Sequence, residues 1–115
     1  MLAPRSKSYE PNMEYKITET ELALQDLDNI LSYIALTLAN PTAAVSFADE
    51  VEKGYSNLKK MPMMYGFCKD LRLRALKYRK AVIKKYVMIY KVDEEEKSVS
   101  ILRFFHGRQD YEKLI

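Results

Sequence analysis

The chain opens its periodic part at Glu14 to Thr20 (EYKITET), where Tyr15 and Ile17 alternate with polar neighbours, the period-two signature of a short strand. The period then lengthens. Ala23, Leu27, Ile30, Ile34 and Leu38 recur at three and four residues, Leu24 and Leu31 widen the stripe, and Thr18-Glu19-Thr20-Glu21 offers a capping box, so an amphipathic helix of about five turns is predicted. Asn40-Pro41 ends it and starts another, because proline cannot continue a helical ladder but suits the first position of a new helix that Asn40 can cap. Ala44, Phe47, Ala48, Val51, Tyr55 and Leu58 mark one face of this second helix, which stops before Pro62. So short a connection makes the pair an antiparallel hairpin. Pro62 to Asp70 reads as a loop. Three runs rich in Val, Ile, Tyr, Phe and Leu follow as predicted strands, Leu73 to Ile83, Tyr86 to Val92 and Ser98 to Phe105, joined by a tight turn at Lys84-Lys85 and a polar hairpin loop at Asp93 to Lys97.

The order β-α-α-β-β-β predicts an α+β, two-layer domain: an antiparallel twisted sheet with an α-helical hairpin on one face and the other face partly open. Residues 1–13 (MLAPRSKSYEPNM) have two prolines and no periodicity, so a disordered leader at 1–13 and a single domain at 14–115 are expected. With 115 residues, 48% apolar and 30% charged, the chain has the size and balance of one soluble globular domain. One cysteine, Cys68, rules out an internal disulfide and fits a reducing cytoplasm, and no apolar run approaches the roughly 20 residues of a membrane helix.

Charge is segregated along the chain. Lys69 to Lys91 carries nine Lys or Arg against one acid, Asp70, whereas Glu14 to Glu52 carries eight acids against one base, Lys16. A basic second half of this kind suits phosphate or an acidic partner. Isolated glycines (Gly54, Gly66, Gly107) make no phosphate loop, and one His with one Cys makes no metal set, so no cofactor and no metal are expected. Cys68, among Met63, Met64 and Phe67, reads as a buried apolar residue rather than a nucleophile. What remains is Arg103-Phe-Phe-His106-Gly-Arg108-Gln-Asp110-Tyr111 at the end of the last strand. Its cations can neutralise a scissile phosphate, and a histidine can move protons near neutral pH. Equally, Arg108 and Asp110 can pair, His106 can cap the strand, and Tyr111 can pack a tail. Arg103 and His106 lie an odd number apart, so strict alternation sends them to opposite faces unless a bulge intervenes. Tyr78, Tyr86 and Tyr90 interleave with Arg79, Lys80, Lys84 and Lys85, a pattern of base-stacking strands or of half-buried sheet tyrosines.

From Glu14 to Ile115 the chain resembles the RelE/ParE superfamily of toxins from bacterial type II toxin–antitoxin systems. The resemblance is carried by Thr18-Glu19-Thr20-Glu21-Leu22-Ala23 with Asp26-Leu27, Tyr33-Ile34, Asn40-Pro41-Thr42-Ala43-Ala44 with Phe47, Leu58 with Met61-Pro62 and Gly66, Tyr86 to Asp93, and His106-Gly-Arg-Gln-Asp110-Tyr. It implies a cytoplasmic, growth-inhibiting toxin of a plasmid-stabilisation type of module, neutralised by a cognate antitoxin that wraps an amphipathic segment around it. RelE-like members cleave messenger RNA on the ribosome without a metal; on that branch the implied catalytic residues here are Lys80, Arg103, His106, Arg108 and Tyr111. That branch usually places an Arg after the tyrosine opening the third strand, where this chain has Val87. ParE-like members poison DNA gyrase and need no catalytic set, and the long helical hairpin leans that way. A basic nucleic-acid-binding module without toxicity is a further alternative.

Overall fold

A computed structural model of the chain describes residues 14–115; the expected leader, 1–13, lies outside the described residues. The element order is β1 (Lys16–Glu19), α1 (Glu21–Ser32), a π-helical turn (Tyr33–Thr37), α2 (Pro41–Lys60), α3 (Leu71–Ala75), β2 (Tyr78–Ile83), β3 (Tyr86–Asp93), β4 (Ser98–His106) and a final 3-10 turn (Tyr111–Lys113). The four strands form one sheet in the order β1-β4-β3-β2. β2, β3 and β4 make the expected antiparallel meander, but β1 runs parallel to β4, with Lys16 opposite Ser98. The sheet is therefore mixed, because the helical hairpin returns the chain to the same end of the sheet before the meander begins.

Thr20 alone starts α1. Its hydroxyl accepts from the Ala23 amide at 3.0 Å and donates to the Leu102 carbonyl at 2.9 Å, so one side chain caps the helix and ties it to β4. The expected capping box does not form, since Thr18 belongs to β1. The predicted five-turn helix also breaks its period: from Tyr33 to Thr37 the ladder widens, with the Leu38 amide bonding back to the Tyr33 carbonyl. That extra residue shifts the phase, which leaves Leu38 exposed while Ile34 stays buried; Leu24, on the flank of the stripe, is exposed as well. The chain then turns through Ala39 at a left-handed φ of 51°, and Asn40 caps α2 by accepting from the Ala43 amide with Pro41 in the first turn, as the sequence predicts.

The hairpin covers one face of the sheet. Phe47, Val51 and Leu58 of α2 meet Ala81 and Ile83 of β2, Met88 and Tyr90 of β3, and Val99, Ile101 and Phe104 of β4. Tyr90 is fully buried and donates its hydroxyl to the Pro62 carbonyl, which rules out a base-stacking role for this ring. The other face is half covered. The stretch predicted as the start of a long strand is helical instead: Asp70 accepts from the Leu73 amide and starts α3, which drops Leu73 into a small second core with Cys68, Val87, Ile89, Phe105 and Tyr111. The β2 strand begins only at Tyr78, after Lys77 adopts a left-handed φ of 64°.

Candidate functional site

The candidate residues gather at one end of the sheet, where the β2–β3 turn meets the end of β4. Lys84 takes a left-handed φ of 56° to close that turn, and the Gly107 amide donates to the Lys85 carbonyl at 2.8 Å. A β-carbon at position 107 would stand 3.1 Å from the same carbonyl oxygen, so glycine permits this close approach. Between turn and strand end lies a cleft of about 540 Å³ lined by Lys80, Lys84, Lys85, Tyr86, His106 and Arg108, with Val82 and Val87 on its apolar side. Of the five residues the sequence analysis proposed, Lys80, His106 and Arg108 thus share one cleft.

His106 is held at its backbone and its ring. Its amide donates to Gln109 Oε1 at 2.7 Å, and Nδ1 accepts from the Arg108 amide at 3.1 Å, which puts the proton of a neutral ring on Nε2. The ring stands edge-on to Tyr86 at 5.2 Å, and Tyr86 in turn packs on Phe47 at 5.0 Å. Burial pushes the Tyr86 hydroxyl above the ordinary tyrosine range, so it is a protonated donor at neutral pH.

Arg103 and Tyr111 are engaged elsewhere. Opposite Ile89/Tyr90 the β4 register slips by one residue, before the Arg103–His106 stretch, so Arg103 pairs with Ile89 while His106 pairs with Tyr86 and the two keep opposite faces. The Arg103 guanidinium reaches the free edge of β4 and forms a two-point ion pair with Asp26 of α1, Nε to Oδ2 at 2.7 Å and a second nitrogen to Oδ1 at 3.2 Å. Asp26 Oδ2 also accepts from the Phe104 amide at 3.0 Å, satisfying a donor of that unpaired edge. Tyr111 is buried with its ring stacked on Phe105 at 5.9 Å, and Lys80 Nζ lies 5.8 Å from the centre of the Tyr111 ring. Asp110 pairs with Lys113, not with Arg108. Cys68 is buried, and that burial raises its thiol's pKa above the ordinary range against the pull of Lys80, which makes it a poor nucleophile.

Sequence reasoning left three contributors outside the candidate set. Lys84 and Lys85 read as basic turn residues interleaved with tyrosines, although a two-residue turn beside the end of β4 must present its cations there. Asp26 carries no local signal for its role, because its partner lies 77 residues away. Among the described residues no group of His, Cys, Asp and Glu is arranged to hold a metal ion, and no helix is long and apolar enough to cross a membrane.

A comparison with curated proteins finds no match. Among solved structures, the RelBE2 toxin–antitoxin complex from Mycobacterium tuberculosis contains a chain that is similar at 27% identity and a TM-score of 0.57, over 81% of this chain and 98% of that one. A chain of the chromosomal ParDE system from P. aeruginosa shares the fold at 18% identity and a TM-score of 0.64, over 82% of this chain and 97% of that one. The model of the ParE toxin of the type II toxin–antitoxin system parDE matches residues 17–111, nearly the whole described fold from β1 to the final turn. Strand order, helical hairpin and family match agree, and the chain belongs to the ParE toxin family of type II toxin–antitoxin systems.

Proposed function

We propose that this toxin arrests growth in the cytoplasm by binding DNA gyrase and does not cut messenger RNA, and that a cognate antitoxin holds it inactive. One observation carries the choice of target: two of the five residues implied for ribonuclease chemistry are committed to the fold, and the third-strand cation is replaced by an apolar residue. Val87 occupies the third-strand position where a cation would stand and is buried in the small second core. The Arg103 guanidinium is neutralised by Asp26, and the Tyr111 ring is packed under Phe105. A charge already paired in the resting protein is poorly placed to meet the charge that develops on a phosphorane, since transition-state stabilisation depends on donors aimed there beforehand. The antitoxin reading is supported by the tip of the helical hairpin, where Leu36, Leu38, Val45 and Tyr33 expose an apolar patch of the kind that a partner segment covers.

A second reading rests on the cleft. Lys80, Arg108 and His106 line the same cleft, and cations together with a histidine can hold a phosphodiester and protonate a leaving oxygen. Inducing the chain and following DNA and protein synthesis separately decides between them. DNA synthesis is expected to stop first, with toxicity intact in His106→Ala. Site-specific cleavage of messenger RNA on purified ribosomes, abolished by His106→Ala, overturns the gyrase reading.

A further inference from the structure

We propose that the cleft between the β2–β3 turn and the end of β4 binds the phosphate backbone of duplex DNA. Its walls carry Lys80, Lys84, Lys85 and Arg108, and no carboxylate lines it. The ion pairs among the described residues, Lys53 with Glu50, Arg103 with Asp26 and Lys113 with Asp110, use none of these four cations. Four uncompensated positive charges around one concave surface focus a field that attracts polyanions, and each phosphate they neutralise releases condensed counterions. The backbone beneath these cations is fixed, with Lys84 and Lys85 on a two-residue turn latched to Gly107, and Lys80 lies within β2 against Tyr111.

The rings of the cleft decide between duplex and single strand. Proteins that hold single strands offer aromatic faces on which bases stack. Of the rings that line the cleft, Tyr86 is wedged between Phe47 and His106, and His106 is held edge-on against Tyr86. The exposed apolar side chain in the cleft is Val82, which offers no π-face. The site is therefore built for phosphates and not for bases. It goes beyond the target proposed above, because it places nucleic acid on the toxin itself and needs no gyrase.

Fluorescence anisotropy tests this with the full chain, a labelled duplex of arbitrary sequence and a single-stranded RNA of equal length, from low to physiological salt. The duplex is expected to bind with a log–log salt slope of about −2 to −4, roughly 0.9 per phosphate contact. Lys84→Ala with Lys85→Ala is expected to weaken binding about tenfold or more at physiological salt and to make the slope shallower by about two. Lys59→Ala with Lys60→Ala removes the same charge from the end of α2, beside the start of β1, and is expected to change neither; circular dichroism verifies that both variants fold. Absence of duplex binding by the folded chain, equal weakening in both double variants, or tighter binding of the single-stranded RNA overturns the proposal. The assay contains no gyrase, so its failure leaves the gyrase reading untouched, and failure of that reading leaves this site standing.

Discussion

The two faces of the sheet differ in how their charge and apolar surface are used. Under the helical hairpin, Phe47, Leu58, Met88, Tyr90, Val99 and Ile101 are sealed from water, and Arg79, opposite Tyr90, spends its guanidinium on the Tyr65 carbonyl. On the other face the apolar cluster around Leu73, Ile89 and Phe105 stops short, and the sheet ends in a cleft where Lys80, Lys84, Lys85 and Arg108 have no counter-charge. Like charges held close in this way repel one another and add nothing to folding. The contrast separates a face that stabilises the domain from a rim that is costly to keep and is explained by what it binds.

Breaking the sealed face should have the largest effect. Phe47→Ala removes a ring that packs on Tyr86 and is 1% exposed, so a loss of about 3–5 kcal/mol is expected as a lower denaturant midpoint with unchanged slope. Next comes the join between the faces. Asp26→Ala leaves the Arg103 guanidinium and the Phe104 amide without their acceptor, which should cost about 2–3 kcal/mol by the same measurement; a cost near zero would show that solvent replaces Asp26 and that the edge of β4 does not need it. Within the sealed face, burial pushes the Tyr90 hydroxyl up to about 12, with Arg79 pulling the other way, so the folded state holds this proton more tightly than the unfolded chain, where it leaves near pH 10. The resulting stabilisation is whole below about pH 10 and is lost as the pH rises toward about 12. Tyr90→Phe forfeits the hydrogen bond to Pro62, about 1 kcal/mol at neutral pH, and the two stability curves should converge and then cross within that alkaline window. The smallest change belongs to the rim: Lys84→Ala with Lys85→Ala should move stability by no more than about 0.5 kcal/mol. A loss as large as that of Asp26→Ala would assign these lysines to the fold and erase the contrast.

Much of the sealed face was legible in the sequence because burial imposes a period. The stripe of α2, the Asn40-Pro41 restart and the apolar run of β3 follow directly from which side chains must leave water. Other features follow from geometry that periodicity does not encode. The predicted strand from Leu73 takes in the end of α3, and only Asp70, a good helix cap with its carboxylate three residues from the Leu73 amide, marks a helix there. The parallel pairing of β1 leaves no trace in composition, since the same four residues would serve an antiparallel edge. At the site, the basic character of the cleft was visible in the Lys69 to Lys91 segment, and the grouping of Lys80 with His106 and Arg108 was implied by the family resemblance. The engagement of Arg103 was not visible, because an ion pair between residues 77 apart depends on how α1 lies along β4.

The parallel pair at the edge of the sheet also fixes when this toxin can come into being. β1 has one neighbour, and that neighbour is β4, so Thr20 must find Leu102 across 82 residues of chain. Joining ends so far apart carries a loop-closure cost that local contacts do not, and it is met only when the last strand is present. A ribosome that has released the chain only as far as the β3–β4 loop, Asp93 to Lys97, has made all three α-helices but not the strand that joins β1 to the sheet or the residues His106 to Arg108 that complete the cleft. The cleft is thus assembled only once β4 is in place, and the order of the strands sets when its cations come together.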